Sequence, residues 1–211
     1  MEVNVSMIPA ARDGECNAYL IERNGEFVLI DAPEQAIDVV KKITNTGKKL
    51  TALILTHGHF DHIFGLKAIE KVSGAKVYMH EAETSMLRDT SMNLAGLAYL
   101  PGTFPVYTGP VAALHDGDSL TIGDITYQIF HAPGHTPGCI CIVMGSMIFT
   151  GDFLFKSSIG NTSFPNSKPQ IMEKSLQRFL EKFGNSDYTL CPGHGEKTSM
   201  ERELKYNQFL Q

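Results

Sequence analysis

The chain has 211 residues, 43% of them hydrophobic and 19% charged, which suits one well-cored globular domain over residues 1–211. With a net charge of −5 and no run of lysine or arginine, the composition argues against a nucleic-acid-binding protein. The N-terminal stretch MEVNVSMIPAARDGE lacks the basic start and long apolar core of a signal peptide. No apolar run approaches the roughly 20 residues that a membrane helix needs. We therefore expect a cytoplasmic protein that acts on a small-molecule substrate, without nucleic-acid or membrane partners.

The predicted elements begin with strands and a helix. The segments VNVSMI, CNAYLIER and EFVLID predict strands, and Asn24-Gly25 between the last two is a strong hairpin signal. Apolar residues at helical spacing predict a helix over 35–46, which Gly47 ends. TALILT then predicts a short apolar strand of the kind that is usually covered on both faces.

The rest of the chain alternates in the same way. A helix is predicted over 63–72, the strand KVYMH follows, and residues 81–88 are expected to be helical. The pattern weakens over 89–111, which indicates a loop or flap over the site. The second half predicts the strands ITYQIF, CICIVM, MIFTG and YTLCP, a helix capped by Ser167, and a closing helix in KTSMERELKYNQFLQ. This order predicts an α/β fold of mixed sheets with helices on the outer faces.

The four cysteines, Cys16, Cys139, Cys141 and Cys191, form no CxxC motif. Cys139 and Cys141 stand two apart in an apolar, strand-like run, so both are expected to face the same side. We interpret all four as buried free thiols in a reducing cytoplasm. Cys191 precedes His194 by three positions, but packing at a strand end accounts for it better than metal ligation.

The hexapeptide HGHFDH concentrates metal-binding side chains directly after a predicted strand. His57 and His59 are two apart, and alternate side chains of an extended segment point the same way, so both imidazoles could meet one metal ion. Asp61 and His62 come after the chain turns and could address a second position close by. A solvated polar loop is the alternative, but such a dense pattern favours a metal site.

Three further candidates lie beside glycine at the ends of predicted strands. His135 stands in APGHTPG, Asp152 in FTGDFLF and His194 in CPGHG. Glycine lets a backbone turn sharply or approach a ligand closely. Because the strand ends of one sheet meet at one rim, we expect these residues to complete the ligand set of a hydrolytic metal centre. The alternative for each is a turn residue that the backbone satisfies.

The motifs HxHxDH, PGHTPG, GDxLF and GHG resemble those of the metallo-beta-lactamase superfamily, and within it those of the glyoxalase II-like hydrolases. The resemblance runs from CNAYLIE to CPGHGEKTSM and implies an αββα sandwich of two mixed β-sheets flanked by helices. It also implies a first metal bound by His57, His59 and His135, a second bound by Asp61, His62 and His194, and Asp152 as the carboxylate that bridges them.

Imidazole-rich shells that share one carboxylate suit two zinc ions, with iron or manganese as alternatives. Two cations roughly 3.5–4 Å apart hold hydroxide ready near neutral pH and polarise a bound carbonyl. Asp61 would orient the nucleophile as well as bind metal, so Asp61 and Asp152 are the candidate catalytic residues. A thiolate leaves with little help from a general acid, so a small thioester is the expected substrate.

Two departures from glyoxalase II bear on the substrate. Because His194 lies close to the end of the sequence, we expect no counterpart of the helical region that helps glyoxalase II to hold glutathione. In KSSIGNTSFPN, Asn161 and Ser163 stand where the relatives usually show the Arg and Asp of a GRTD-like run. A missing arginine removes a bidentate partner for a carboxylate. The motifs therefore favour thioester hydrolysis without fixing glutathione as the thiol.

Three other functions are compatible with such motifs. A persulfide dioxygenase-like oxidoreductase uses the same scaffold with one iron, and metal analysis would separate it from a zinc hydrolase. A lactonase or β-lactamase-like hydrolase could use the segment 89–111, with Tyr99 and Tyr107, to shape its pocket. A non-catalytic metal-binding module is disfavoured by the complete ligand set.

The remaining polar residues are expected to be structural or supporting. His80, His115 and His131 lie outside the motifs, and a lone histidine is more often simply hydrogen-bonded. Asp31 ends an apolar strand and either supports a metal ligand or caps a turn. Phe60, between the two pairs of ligands, is expected to face away from the metals and pack beneath the loop.

Overall fold

The computed structural model describes every residue except 1, 2 and 13. The chain forms two compact units. The first comprises Met1–Met79 and Thr84–Ala113, and the second comprises His80–Glu83 and Leu114–Gln211. The single domain predicted over 1–211 stays a prediction. Residues 1, 2 and 13 of that range lie outside the described part of the chain. Within that part, no helix combines the length and the apolar character needed to cross a membrane.

The first six-stranded sheet is mixed. It contains, in spatial order, β1 (Asn4–Ile8), β2 (Ala18–Arg23), β3 (Glu26–Ile30), β4 (Lys49–Ile54), β5 (Lys76–His80) and β6 (Ala112–Leu114). The hairpin β2–β3 turns at Asn24 and Gly25, both with the positive φ that a type I′ turn requires. β3, β4 and β5 are parallel neighbours, so their carboxyl ends lie at one edge of the sheet.

Helices cover this sheet through their apolar faces. They are α1 (Ala36–Asn45), α2 (Phe60–Ile63), α3 (Leu66–Ser73) and α4 (Ala95–Ala98), and a 3₁₀ helix spans Glu81–Leu87. Val40 of α1 and Ile69 of α3 are fully buried in one cluster with Leu29 and Leu53 of the sheet. This packing holds the end of β4, where HGHFDH begins, against a rigid base.

The predicted helix over 63–72 is wrong at its start, because the helix is interrupted between α2 and α3. Gly65 lies against the backbone that follows β3: its N–H donates to the Ala32 carbonyl at 2.7 Å. A Cβ atom on Gly65 would meet the Pro33 carbonyl oxygen at 2.6 Å, so only glycine fits without movement. A close tertiary approach therefore splits an otherwise helical sequence into a short turn and a regular helix.

The second six-stranded sheet is also mixed. Its strands, in spatial order, are β14 (Thr198–Ser199), β13 (Thr189–Pro192), β10 (Met147–Gly151), β9 (Ile140–Met144), β8 (Ile125–His131) and β7 (Ser119–Ile122). β10 and β13 run parallel, and the other neighbours run antiparallel. A small hairpin of β11 (Leu154–Phe155) and β12 (Ser158–Ile159) follows β10. The two mixed sheets with helices confirm the predicted α/β class.

Two helices belong to the second unit, α5 (Pro169–Phe183) and α6 (Met200–Tyr206), and a 3₁₀ turn at Gln208–Leu210 ends the chain. Phe153, Phe179 and Phe183 pack together in its apolar core. The predicted cap by Ser167 is wrong, because Lys168 is the N-cap residue and makes no side-chain cap bond. The Ser167 hydroxyl instead donates to the His135 carbonyl at 2.7 Å.

Most predicted strands are confirmed, and the differences concern short or irregular segments. The segment predicted as helical over 81–88 is a 3₁₀ helix, and 89–111 is irregular apart from α4. Five strands, each of two to four residues, were absent from the prediction: β6, β7, β11, β12 and β14. Such short elements carry too few alternating residues to produce a strand pattern.

Replacing Gly65 with alanine tests the close contact between Gly65 and the backbone of Ala32 and Pro33. We expect Gly65→Ala to lower the free energy of unfolding by about 2 kcal/mol, because the added methyl group must displace backbone rather than a flexible side chain. Urea unfolding followed by circular dichroism measures the change. Lys67→Ala, at an exposed position of α3, is the matched control and should change stability by less than about 0.5 kcal/mol. Equal midpoints for both variants would contradict the packing described for Gly65.

Candidate metal centre

In the first unit, the HGHFDH segment leaves the carboxyl end of β4 and enters α2. Leu55 still bonds to the neighbouring strand through Tyr78, and the Phe60 N–H donates to the Asn93 carbonyl at 2.9 Å. His57 and His62 are fully buried and His59 is 4% exposed. Burial of three imidazoles excludes the solvated polar loop, since a solvated loop would leave these rings in water.

His57 and His59 face each other as the alternation of an extended segment predicts. Nε2 of His57 and Nδ1 of His59 lie 3.2 Å apart. Two nitrogens bound at about 2.0–2.1 Å in a tetrahedral zinc shell would lie about 3.3 Å apart. The ring centroids of His57 and His62 lie 4.1 Å apart with the planes inclined at 55°, and Asp61 Oδ2 lies 3.6 Å from His62 Nε2. The four residues of the motif are therefore gathered in one place within the first unit.

Asp31 supports this cluster from the end of β3. Its buried carboxylate lies 2.9 Å from His62 Nδ1 and accepts hydrogen bonds from the Thr56 N–H at 2.8 Å and the Thr56 hydroxyl. A carboxylate on Nδ1 fixes the imidazole tautomer and leaves Nε2 free to bind a metal. Asp31 therefore contacts both the ring of His62, a predicted metal ligand, and the backbone of the turn, and its support of a metal stays a prediction.

Two residues beside the motif escaped the sequence analysis. Thr56 places its hydroxyl 3.2 Å from His57 Nδ1 as well as on Asp31. Cys16, fully buried, donates from Sγ to the Asp61 carbonyl at 3.4 Å. Burial raises the pKa of the Cys16 thiol well above its ordinary value, although His62 acts in the opposite direction. The sequence predicted Cys16 only as a buried free thiol, which is confirmed for all four cysteines.

In the second unit, Asp152 lies at the centre of a group of three. Its Oδ2 atom lies 3.5 Å from His135 Nε2 and 3.4 Å from His194 Nε2. Asp152 follows β10 and His194 follows β13, and these parallel strands end at the same edge of the sheet. A single carboxylate oxygen thus lies close to two of the predicted metal-binding imidazoles.

Close-packed turns orient the His135 ring. Gly134 has a φ of 141° and lies so near the Met172 backbone that a Cβ atom would clash with it. His135 Nδ1 bonds to the Asn161 carbonyl at 2.8 Å, which directs Nε2 towards Asp152. Gly160 packs against the Asp152 carbonyl with no room for a side chain. The loop after β12 therefore helps to aim a predicted metal ligand.

Glu203 was also missed by the sequence analysis. It is fully buried in α6 and accepts hydrogen bonds from the Ser157 N–H, the Thr198 hydroxyl and Asn207 at 2.6, 2.6 and 3.0 Å. Arg202 pairs with the same carboxylate. These bonds tie the β11–β12 hairpin to the segment that follows His194. No local pattern distinguishes this glutamate from the exposed Glu201 of the same helix.

The histidines outside the motifs have partners in the second unit. His80 and His131 stack with ring centroids 4.0 Å apart, and His131 Nε2 bonds to the Pro137 carbonyl. Burial and the neighbouring His131 lower the pKa of His80 to about 4. His115 lies 3.3 Å from Glu81. These contacts agree with the structural role expected for the three residues.

In the first unit, Phe60 contacts Tyr99 and packs against the apolar core, as expected.

A family model described as the metallo-beta-lactamase superfamily matches residues 11–194, so the chain belongs to that superfamily. A protein of Mycobacterium tuberculosis without a functional name is 32% identical over 209 residues, 93% of each chain. The "Probable metallo-hydrolase YqgX" of Bacillus subtilis is 29% identical over 93% of this chain and 92% of its own. The "Hydroxyacylglutathione hydrolase GloC" of Haemophilus influenzae is 26% identical over 99% of this chain and 98% of its own.

Solved structures share the fold, which confirms the predicted metallo-beta-lactamase fold. The BLEG-1 B3 metallo-beta-lactamase has a TM-score of 0.87 at 29% identity and covers 99% of this chain and 100% of its own. The di-iron-bound form of TTHA1623 has a TM-score of 0.80 at 29% identity, with 94% and 97% covered. ETHE1 from Myxococcus xanthus has a TM-score of 0.72 at 25% identity, with 99% and 84% covered. Together with the relatives' names, these matches support a metal-dependent hydrolase.

Substituting Asp31 tests its support of His62. We expect Asp31→Asn to weaken the affinity for the bound divalent metal by about 10- to 100-fold, because the amide no longer fixes the His62 ring as a carboxylate does. Competition with a chromophoric chelator measures the affinity. The exposed acidic residue of α1 provides the control Asp38→Asn, which should leave the affinity unchanged. Unaltered metal binding in Asp31→Asn would contradict the supporting role.

The buried carboxylate of Glu203 predicts that the stability of the fold depends on pH. Burial alone would raise the pKa of Glu203, but the hydrogen bonds from Thr198, Ser157, Arg202 and Asn207 together lower it. The carboxylate therefore contributes stability above its unfolded-state pKa of about 4.5, and that contribution is lost as pH falls through the folded-state value. We expect Glu203→Gln to be about 3 kcal/mol less stable near neutral pH, with the difference shrinking below about pH 4.5.

Urea unfolding of the metal-free protein between about pH 7 and pH 3 measures this difference. Glu201→Gln, at an exposed position of the same helix, is the control and should follow the unmodified protein throughout. A stability difference for Glu203→Gln that stays constant with pH would contradict the ionised, hydrogen-bonded state assigned to Glu203.

Proposed function

We propose that the chain is a metal-dependent hydrolase of small thioesters, similar in activity to hydroxyacylglutathione hydrolases. Two zinc ions would be bound by the residues that the motifs predict: His57, His59, Asp61, His62, His135, Asp152 and His194. The observation that carries the proposal is Asp152, whose single carboxylate oxygen lies 3.4–3.5 Å from two imidazole nitrogens. A cytoplasmic location and a small-molecule substrate complete the proposal.

The donor atoms suit borderline divalent ions. Imidazole nitrogens and carboxylate oxygens predominate, and both His62 and His135 have their Nδ1 atoms bonded to oxygen acceptors. That arrangement leaves the Nε2 atoms to face a metal and raises their basicity. Bound zinc would supply a hydroxide at neutral pH and polarise a carbonyl. Iron and manganese accept the same donors, so metal content is a necessary measurement.

The protein groups then divide the work of hydrolysis. Asp61 would accept a hydrogen bond from the attacking water and hold it in line with the acyl carbon. Asp152 would help the other predicted ligands to hold the metal, which would stabilise the negative charge that develops on the carbonyl oxygen. A thiolate leaving group has a low pKa and departs with little protonation, so the residues named here suffice for a thioester. An amide substrate would need a proton donor for its leaving amine.

The relatives support this substrate class in part. GloC of Haemophilus influenzae is named as a hydroxyacylglutathione hydrolase and aligns over nearly the whole chain. The loop after β12 argues against a requirement for glutathione, because Asn161 stands where the relatives usually show the arginine that could bind a glutathione carboxylate. We therefore propose thioester hydrolysis with glutathione as one of several acceptable thiols.

Two other activities have specific support. The di-iron-bound form of TTHA1623 favours iron as the alternative metal, and an iron site in this chain would suit the persulfide dioxygenase-like oxidation that the motifs allow. The match to a B3 metallo-beta-lactamase favours a lactonase or β-lactamase-like hydrolysis, in which the irregular segment 89–111 would contact the ring. Both would use the residues proposed here for the metal.

Metal analysis combined with a substrate panel tests the proposal. We expect two zinc ions per chain and hydrolysis of thioesters, S-lactoylglutathione among them, ahead of lactones, β-lactams and phosphodiesters. His59→Ala or Asp152→Ala should lose metal and reduce kcat/KM by about 10³-fold or more, while circular dichroism shows an intact fold.

The exposed residue His115 supplies the control, since His115→Ala should retain both metal and activity. Oxygen consumption with a persulfide and one iron per chain would replace the proposal with the dioxygenase. Full thioester turnover in Asp152→Ala would show that the metal residues are assigned wrongly.

A further inference from the structure

A buried thiol adjoins two of the proposed metal-binding residues. The Sγ atom of Cys16, a carboxylate oxygen of Asp61 and a ring nitrogen of His62 all lie within 4.8 Å of one another. Cys16 and His62 are fully buried, and the thiol bonds to the Asp61 carbonyl. Sulfur, oxygen and nitrogen donors thus converge on one position of the first unit.

Hydrogen bonds on both sides of Cys16 anchor the backbone that carries this side chain. The Cys16 carbonyl accepts a hydrogen bond from Gln35 Nε2 at 2.8 Å. The neighbouring Asn17 accepts one from the Ala10 N–H at 3.1 Å. Both sides of the residue are therefore anchored before β2 begins, which fixes the backbone position from which the thiol reaches the Asp61 carbonyl.

The spacing is close to that of a metal shell. Zinc binds sulfur at about 2.3 Å and nitrogen or oxygen at about 2.0–2.2 Å, which places two ligands of a tetrahedral shell about 3.4–3.6 Å apart. A separation of up to 4.8 Å among the three donors requires an adjustment of about 1 Å. Rotation of the partly exposed Asp61 side chain supplies a movement of that size, while Asp31 keeps the His62 ring in place.

We infer that Cys16 is a further metal-binding residue, which with Asp61 and His62 selects a thiophilic divalent cation, zinc or cobalt, over manganese or magnesium. The inference rests on the proposed function, since it requires Asp61 and His62 to bind metal. On binding, the S–H bond breaks, its proton passes to solvent, and the sulfur electron pair forms the bond to the metal. The hydrogen bond to the Asp61 carbonyl is given up in the same step.

The other three cysteines have surroundings that differ from those of Cys16. Cys139 and Cys141 lie in the apolar core of the second unit beside Phe130 and Leu154, where a thiol serves as a small hydrophobic group. Burial raises the pKa of Cys191 to about 11, although Lys197 lowers it. Cys16 differs because a carboxylate and an imidazole face its sulfur.

Cobalt substitution of the full-length chain tests the inference. Cobalt(II) reports sulfur ligation by a thiolate-to-metal charge-transfer band in the near ultraviolet, separate from its visible ligand-field bands. We expect both in the unmodified protein. Cys16→Ser and Cys16→Ala should lose the charge-transfer band, keep visible bands, and bind zinc at the affected position at least about tenfold more weakly. Manganese affinity should change less than twofold.

Cys191→Ala is the matched control, a buried cysteine outside the proposed shell that should keep the charge-transfer band. Visible bands without a charge-transfer band in the unmodified protein would overturn the role of Cys16 and leave the proposed metal function standing. A charge-transfer band that survives in both Cys16 variants would also overturn it. Failure of the unmodified protein to bind cobalt or zinc would contradict the inference and the proposed function together.

Discussion

The arrangement of the first unit depends on one buried carboxylate, that of Asp31. The residue has a φ of 60°, an unusual conformation for a side chain larger than hydrogen, and its carboxylate is removed from water. Burial of such a group is tolerated because His62 and Thr56 satisfy its oxygens. The Asp31 N–H also continues the pairing between the ends of β3 and β4 by donating to Ile54. The turn after one strand therefore builds the site that follows the next strand.

The neighbouring backbone extends this support. Ala32 donates to the His62 carbonyl at 2.8 Å, and its own carbonyl accepts from Gly65 at 2.7 Å. Residues 31 and 32 thus bind the backbone near the end of α2 and just before α3, as well as the His62 ring. In the second unit, strand ends and a hydrogen bond also position the predicted ligands, but different groups do so. There, parallel strands β10 and β13 present Asp152 and His194, and a carbonyl rather than a carboxylate orients His135.

The sequence predicted what is encoded locally. Alternating and continuous apolar runs identified the longer strands, Asn24-Gly25 fixed a hairpin, and dense clusters of histidine and aspartate marked the candidate site. Residues whose roles depend on distant partners were not predictable in this way. Thr56 and Cys16 have ordinary surroundings in sequence, and their significance comes from neighbours 25 to 45 positions away. The interruption at Gly65 likewise arises from contact with Ala32 and Pro33, not from any weakness in the helical pattern.

The bond between His135 and Asn161 has a consequence for how this chain can diverge. The acceptor is a main-chain carbonyl, which every amino acid at that position would provide equally. The side chain at this position therefore affects the imidazole only through the path of the backbone. The Asn161 side chain binds the Ser163 N–H, which shapes that path locally. Substitutions in this loop that keep the same backbone path would therefore leave the carbonyl that orients His135 in place.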